Sequence, residues 1–146
     1  MNTLKRYSPE VLERAVCIAL ASVFIYHGLL KFLNLEGFTQ MLPISYLEVV
    51  LVAAAETGGG LLVFLGGFRK DTISDLATRV GAALNIPVMV GAITLVHWGR
   101  WNFLPSETFP MGGMQFQTVL ILIMLYLVFT GNRGFTDSST RVTQAA

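Results

Sequence analysis

An all-α, four-helix transmembrane bundle with both termini cytoplasmic is the architecture this sequence predicts, and three observations predict it. Of its 146 residues 53% are hydrophobic and only 13% charged, with a mean hydropathy of +0.62, whereas soluble domains carry about 25% charged residues. Four apolar runs recur, at 11–33, 46–68, 77–98 and 115–129, each near the ~20 residues with which a helix crosses hydrocarbon. The basic residues divide unequally: Lys5, Arg6, Arg14, Arg69, Lys70, Arg79, Arg133 and Arg141 fall on one side of the runs, Lys31 and Arg100 on the other. Cytoplasmic loops hold the excess, so the termini and the middle connection are expected inside. The alternation of a membrane barrel is absent, which leaves helices as the spanning element.

There is length for one domain, 1–146, with a small polar tail from Thr130. A net charge of +1 without a Lys/Arg cluster excludes nucleic acid as a partner; the bilayer is the expected one. In the first run, Ser8-Pro9-Glu10 suits a helix start with Ser8 as cap. Ala19-Leu20-Ala21 resembles a signal-peptide cleavage motif, but Glu13 and Arg14 interrupt the upstream region and the apolar run continues to Leu33, so a retained span is expected. The lone Cys17 reads as a small buried hydrophobe.

The second run places Glu56 ten residues after Tyr46, about 15 Å along a helix and close to mid-bilayer. An ionisable group at that depth is a functional-site candidate, and the small residues of 53–60 let neighbouring helices close around it. In the third run Pro87 frees the carbonyl of Ala83, and Asn85 reads as interhelical glue. In the connection 99–114 that follows Trp98, Trp101, Phe103 and Phe109 form an interfacial belt; Pro105, Pro110 and Gly112-Gly113 predict a folded cap able to roof a lipid-soluble head group.

Polar side chains therefore converge in the outer half of the bundle: His27 and Lys31, Glu56, His97 and Arg100, then Gln115 and Gln117. Glu56 paired with Lys31 is either an ion pair that sets helix register or a proton-accepting group beside a redox ligand. Imidazole suits proton exchange and hydrogen bonding to a quinone carbonyl, and also haem ligation. Two histidines are the minimum for haem and no other haem signature accompanies them, so neither haem nor a metal site is expected. One cysteine and no glycine fingerprint leave no iron–sulfur or nucleotide site.

These residues resemble the DoxX family of small bacterial membrane proteins, from the first helix to about Gly131. The resemblance rests on Tyr26-His27-Gly28 with Lys31, Leu42-Pro43, Ala55-Glu56 with Gly58-Gly59-Gly60, Gly66 before Arg69, His97, and Gly112-Gly113-Met114-Gln115-Phe116. It implies a four-helix fold in the bacterial inner membrane and an association with redox chemistry. Some relatives are subunits of thiosulfate:quinone oxidoreductase, others resemble terminal quinol oxidase subunits, and others accompany thiol-stress enzymes. By similarity His27, Lys31, Glu56 and His97 take the family's polar core positions. Gln115 stands where relatives often carry an acidic residue, which removes a titratable group from the entrance to the fourth helix.

The expected function is an integral subunit of a redox complex that interacts with quinone or quinol. Glu56, Lys31 and His27 are expected to serve proton chemistry, and His27, His97, Trp98, Arg100 and Gln115 to contact the head group, with electrons passing through another subunit or a soluble redox enzyme. The rival expectation is a non-catalytic anchor or assembly factor. A small transporter would need a homo-oligomer to supply room for alternating access.

Overall fold

The computed structural model describes residues 9–132, and its regular structure is entirely helical, with no strand among these residues. In order come α1 (Pro9–Leu33), α2 (Leu35–Met41), α3 (Tyr46–Gly66), α4 (Thr72–Ala92), a π-helical turn (Ile93–His97) continuing α4, and α5 (Gln115–Thr130). Three segments are long and apolar enough to cross a membrane: Glu10–Leu33, Tyr46–Gly66 and Thr72–His97. The fourth apolar helix, α5, has 16 residues, about 24 Å at 1.5 Å per residue. The Ser8 cap and the topology charges Lys5, Arg6, Arg133 and Arg141 lie outside the described residues.

Capping chemistry decides the ends, and there the structure departs from hydropathy. α4 begins at Thr72, not at residue 77, because the Asp71 carboxylate accepts from the Ser74 backbone N–H at 3.0 Å and from its hydroxyl at 3.1 Å. Those bonds nucleate the helix before its apolar run starts. They also hold the Asp71 carboxyl below its usual range, the Ser74 N–H being the main cause. α3 starts on a capping box, with Glu48 Oε2 accepting from the Ser45 N–H at 2.7 Å and Glu48 N–H donating back to Ser45 Oγ at 3.4 Å. It stops at Gly66 rather than residue 68. The seven-residue α2, capped by Asn34, interrupts a connection with no apolar run to betray it.

The helices pack in sequence, α1 on α3, α3 on α4 and α4 on α5, with α2 lying against α3. α3 is central, and the small residues on its two sides set the spacing. A Cβ on Gly28 of α1 would lie 2.7 Å from the Thr57 backbone nitrogen and 2.9 Å from the Ala53 carbonyl oxygen. On the other side a Cβ on Gly81 of α4 would lie 2.5 Å from the Gly59 carbonyl oxygen and 2.9 Å from the Val63 nitrogen. Backbone cannot swing aside as a side chain can. Gly81→Ala is therefore expected to cost about 1–3 kcal/mol, the usual cost of overpacking, read as a lowered Tm by tryptophan fluorescence in detergent. Between the helices Leu20, Phe24, Val63, Met124 and Leu127 form the core, together with Cys17 as a buried free thiol.

The end of the bundle away from α2 is fastened by polar groups. Lys70 donates to Glu13 of α1 and to the Asn132 carbonyl after α5. The buried Asn132 amide donates to the Gly66 and Arg69 carbonyls at 2.5 and 2.6 Å. Arg79 pairs with Asp75 at 2.8 Å and donates to the Val128 and Phe129 carbonyls, both at 2.8 Å. The last carbonyls of a helix have no intrahelical donor, so these side chains fill the requirement for α3 and α5.

Candidate functional site

Opposite this fastened end, where α1 finishes, α2 lies and α5 starts, the helices part around a cavity of about 500 Å³. Its walls are mostly apolar, from Phe24, Val52, Pro87, Leu95, Phe116 and Leu120 among others, and its polar lining is His27, Lys31, Glu48, Glu56, His97 and Gln117. Spacing explains the first wall: His27 and Lys31 are four residues apart on α1 and share a face. From there the lysine reaches the middle of α3, where its Nζ lies 2.7 Å from Glu56 Oε2. The two side chains are 11% and 3% exposed, so solvent screens this pair little and neither charge is easily given up alone. The ammonium also stands 5.4 Å from the Phe38 ring centroid, a cation–π contact supplied by α2. His27 touches the Tyr26 ring edge-on at 5.5 Å, and among the described residues it makes no hydrogen bond, so both its ring nitrogens stay available.

The α4 wall is shaped by departures from α geometry. Pro87 lacks an N–H to donate, and the Thr94 hydroxyl returns to the Val90 carbonyl at 3.0 Å, both of which bend a helix. The chain then widens into the π turn Ile93–His97, and π turns of this kind recur at functional sites. His97, at its end, is buried and held on both nitrogens: Nδ1 lies 2.9 Å from the Gly112 carbonyl oxygen and Nε2 2.9 Å from the Gln117 amide nitrogen.

The remaining expected contacts stand outside the cavity. Trp98 is 68% exposed, where the chain leaves the helix with extended geometry. Arg100 donates to Ser106 and lies 5.6 Å from the Phe109 ring, engaged within its own loop. That loop folds on itself, with Gly113, Met114 and Gln115 backbone N–H groups donating to Asn102, Arg100 and Trp101 carbonyls at 2.8–3.0 Å, and from it Met111 reaches the cavity. Gln115 and Gln117 are two residues apart, about 200° around a helix, so one of them can face inward; it is Gln117. Sequence reasoning noticed Gln117 but did not select it, and it overlooked Glu48, whose Ser45-x-x-Glu48 spacing is a capping-box signature. Among the described residues no three His, Cys, Asp or Glu side chains converge as a metal site would require.

Apolar helices of spanning length around a cavity with a buried ion pair define a helical membrane protein with an internal cavity. The chain belongs to the DoxX family, whose model matches residues 15–98. It is also 35% identical over 116 residues to the Bacillus subtilis (strain 168) protein named "Putative oxidoreductase CatD", across 76% of this chain and 72% of that one. No solved structure matches the chain. The family match takes in His27, Lys31, Glu56 and His97 but ends before α5, so it does not reach Gln117.

Proposed function

We propose that this chain is an integral subunit of a membrane redox complex and that its cavity holds a quinone or quinol head group. The observation that carries the reading is the cavity itself: mostly apolar walls enclosing a buried Lys31–Glu56 pair with His27 beside it. Its volume is within the range of small-molecule pockets, roughly 300–1,000 Å³. The oxidoreductase named among the relatives agrees with redox work.

When bound, such a head group supplies the exchange of electrons together with protons. The chain's own residues hold and orient it. Glu56 can accept a proton, and Lys31 at 2.7 Å stabilises the carboxylate when it does not. His27, with free ring nitrogens, can exchange a proton or hydrogen-bond a head-group oxygen. His97 has both nitrogens engaged and positions the wall instead. Electrons enter or leave through a partner chain or a soluble redox enzyme.

The same reading sets the chain in the bacterial inner membrane as a single domain, with α5 as a short fourth span and both termini cytoplasmic. Lys31 and Arg100 lie at the cavity end, whereas Arg14, Arg69, Lys70 and Arg79 lie towards the opposite end; the positive-inside rule then makes the cavity end the outer one.

Quinone content per chain after purification in mild detergent tests the site. Wild type is expected to retain close to one quinone per chain, or to take one up from decyl-benzoquinone. The Lys31→Met/Glu56→Leu double variant, compared at equal helix content by circular dichroism, is expected to lose at least nine-tenths of it, about a tenfold effect for 1.4 kcal/mol of binding free energy. A wild type that neither carries nor takes up quinone overturns the reading in favour of an anchor or assembly factor.

A further inference from the structure

Resting on the head-group reading above, we infer that the cavity opens sideways into the bilayer between the cavity-end halves of α3 and α4, and that its ligand carries a long apolar tail that leaves through this gap. Towards the fastened end these helices touch backbone to backbone. A Cβ on Gly59 would lie 2.8 Å from the Gly81 carbonyl oxygen, and one on Gly66 would lie 2.6 Å from that of Ser74. Beyond this contact Pro87, the Thr94 back-bond and the π turn carry α4 off its line. Eight residues from Gly59 along α3 is Leu51, and eight from Gly81 along antiparallel α4 is Met89, so Leu51 stands level with the stretch that carries Gly91 and Leu95. Leu51, Gly91 and Leu95 all border the cavity. Leu51 is also 59% and Leu95 52% exposed, so these walls reach the outer surface. Gly91 leaves room between them: among the described residues a Cβ added there meets nothing within 4 Å, whereas Gly81 of the same helix has no space for one.

Depth decides what the gap faces. Leu51 lies five residues after Tyr46 and Gly91 six before His97, the ends of their spans, which is about 8 and 9 Å along a helix. The gap therefore meets hydrocarbon rather than water. An occupant that reaches from the Lys31–Glu56 pair to the gap has charged groups at one end and apolar side chains at the other, and an amphiphile with a polar head and a long tail matches both. The tail adds little affinity, because lipid is as apolar as leucine. Its exit instead lets the head group reach the ion pair while the tail stays in the bilayer. A head group without a tail needs no such gap.

The test fills the gap and leaves the head-group pocket alone. Isothermal titration calorimetry on the full chain in detergent would compare wild type with Gly91→Phe, using decyl-benzoquinone and the same benzoquinone lacking the decyl chain. Comparing each ligand with itself across the two chains cancels its partition into the micelle. Wild type is expected to bind both. Gly91→Phe is expected to weaken the decyl form about tenfold or more, the effect of overpacking its path, and the tail-less form by less than about twofold. Unchanged binding of both forms, which leaves the gap to lipid or to a second copy of the chain, overturns this inference and leaves the head-group reading standing. So does an equal loss of both, which makes the gap part of the head-group pocket. Failure of wild type to bind either form overturns both readings. Photolabelling of wild type by a quinone with a diazirine at the start of its tail carries the test if Gly91→Phe does not insert. Adducts on the peptides that hold Leu51 and Leu95 are expected, and adducts confined to the loop 99–114 overturn the inference.

Discussion

Glu56→Leu is expected to lower the stability of the folded chain by about 3–5 kcal/mol, the cost of removing one partner from a buried ion pair. The cause is less the lost 2.7 Å contact than the Lys31 ammonium left behind, on a side chain only 11% exposed. Lys31 lies two residues before the end of α1 and can turn its charge towards the interface, which places the effect at the lower end of that range. Adding Lys31→Met to Glu56→Leu is expected to recover most of the loss, because an apolar pair of similar volume is often as stable as the ions it replaces. Thermal unfolding of the four proteins of this cycle in one detergent measures it. A double variant as unstable as Glu56→Leu would show that the two side chains are not energetically coupled. A stable double variant that no longer holds quinone would separate the pair's ligand role from its packing role.

The second large effect is expected at the other end of the molecule. Asn132→Ala should cost about 1–3 kcal/mol for each backbone carbonyl it deprives of a donor, and it deprives two, those of Gly66 and Arg69. The side chain is fully buried, so water does not readily replace it. Tm in detergent reads the loss, and hydrogen exchange should show it first in the last turn of α3 and the first of α4. Because the cavity lies at the α2 end, quinone retained per folded chain should not change. A Tm within error of wild type would mean that these carbonyls find other donors.

The Lys31–Glu56 pair was legible because each residue violates the apolar pattern of its own run, and the spacing along two antiparallel helices brings them to comparable depth. Gln117 was not, because a helix with apolar residues almost all round has no face that identifies itself. Gln115 and Gln117 are equivalent in composition, and only the rotation of α5 against α4 distinguishes them. Trp98 and Arg100 stand outside the cavity for a related reason. Proximity in sequence to His97 suggested a shared wall, but the chain leaves helical geometry at Trp98 and folds the loop back on itself.

Several features of this protein were determined by the sequence alone: a helical membrane chain, the apolar runs, the family, and a buried carboxylate that needs a cationic partner. All follow from local or pairwise physics, since hydrocarbon admits few polar groups and each exception must be paired. The tertiary structure decided what depends on rotation and on backbone departures. It set the five-residue earlier start of α4 on its Asp71 cap, the docking of α2, the π turn that delivers His97, and the choice of Gln117 over Gln115. Hydropathy measures how deep a residue lies, but which way it faces is settled only when helices pack.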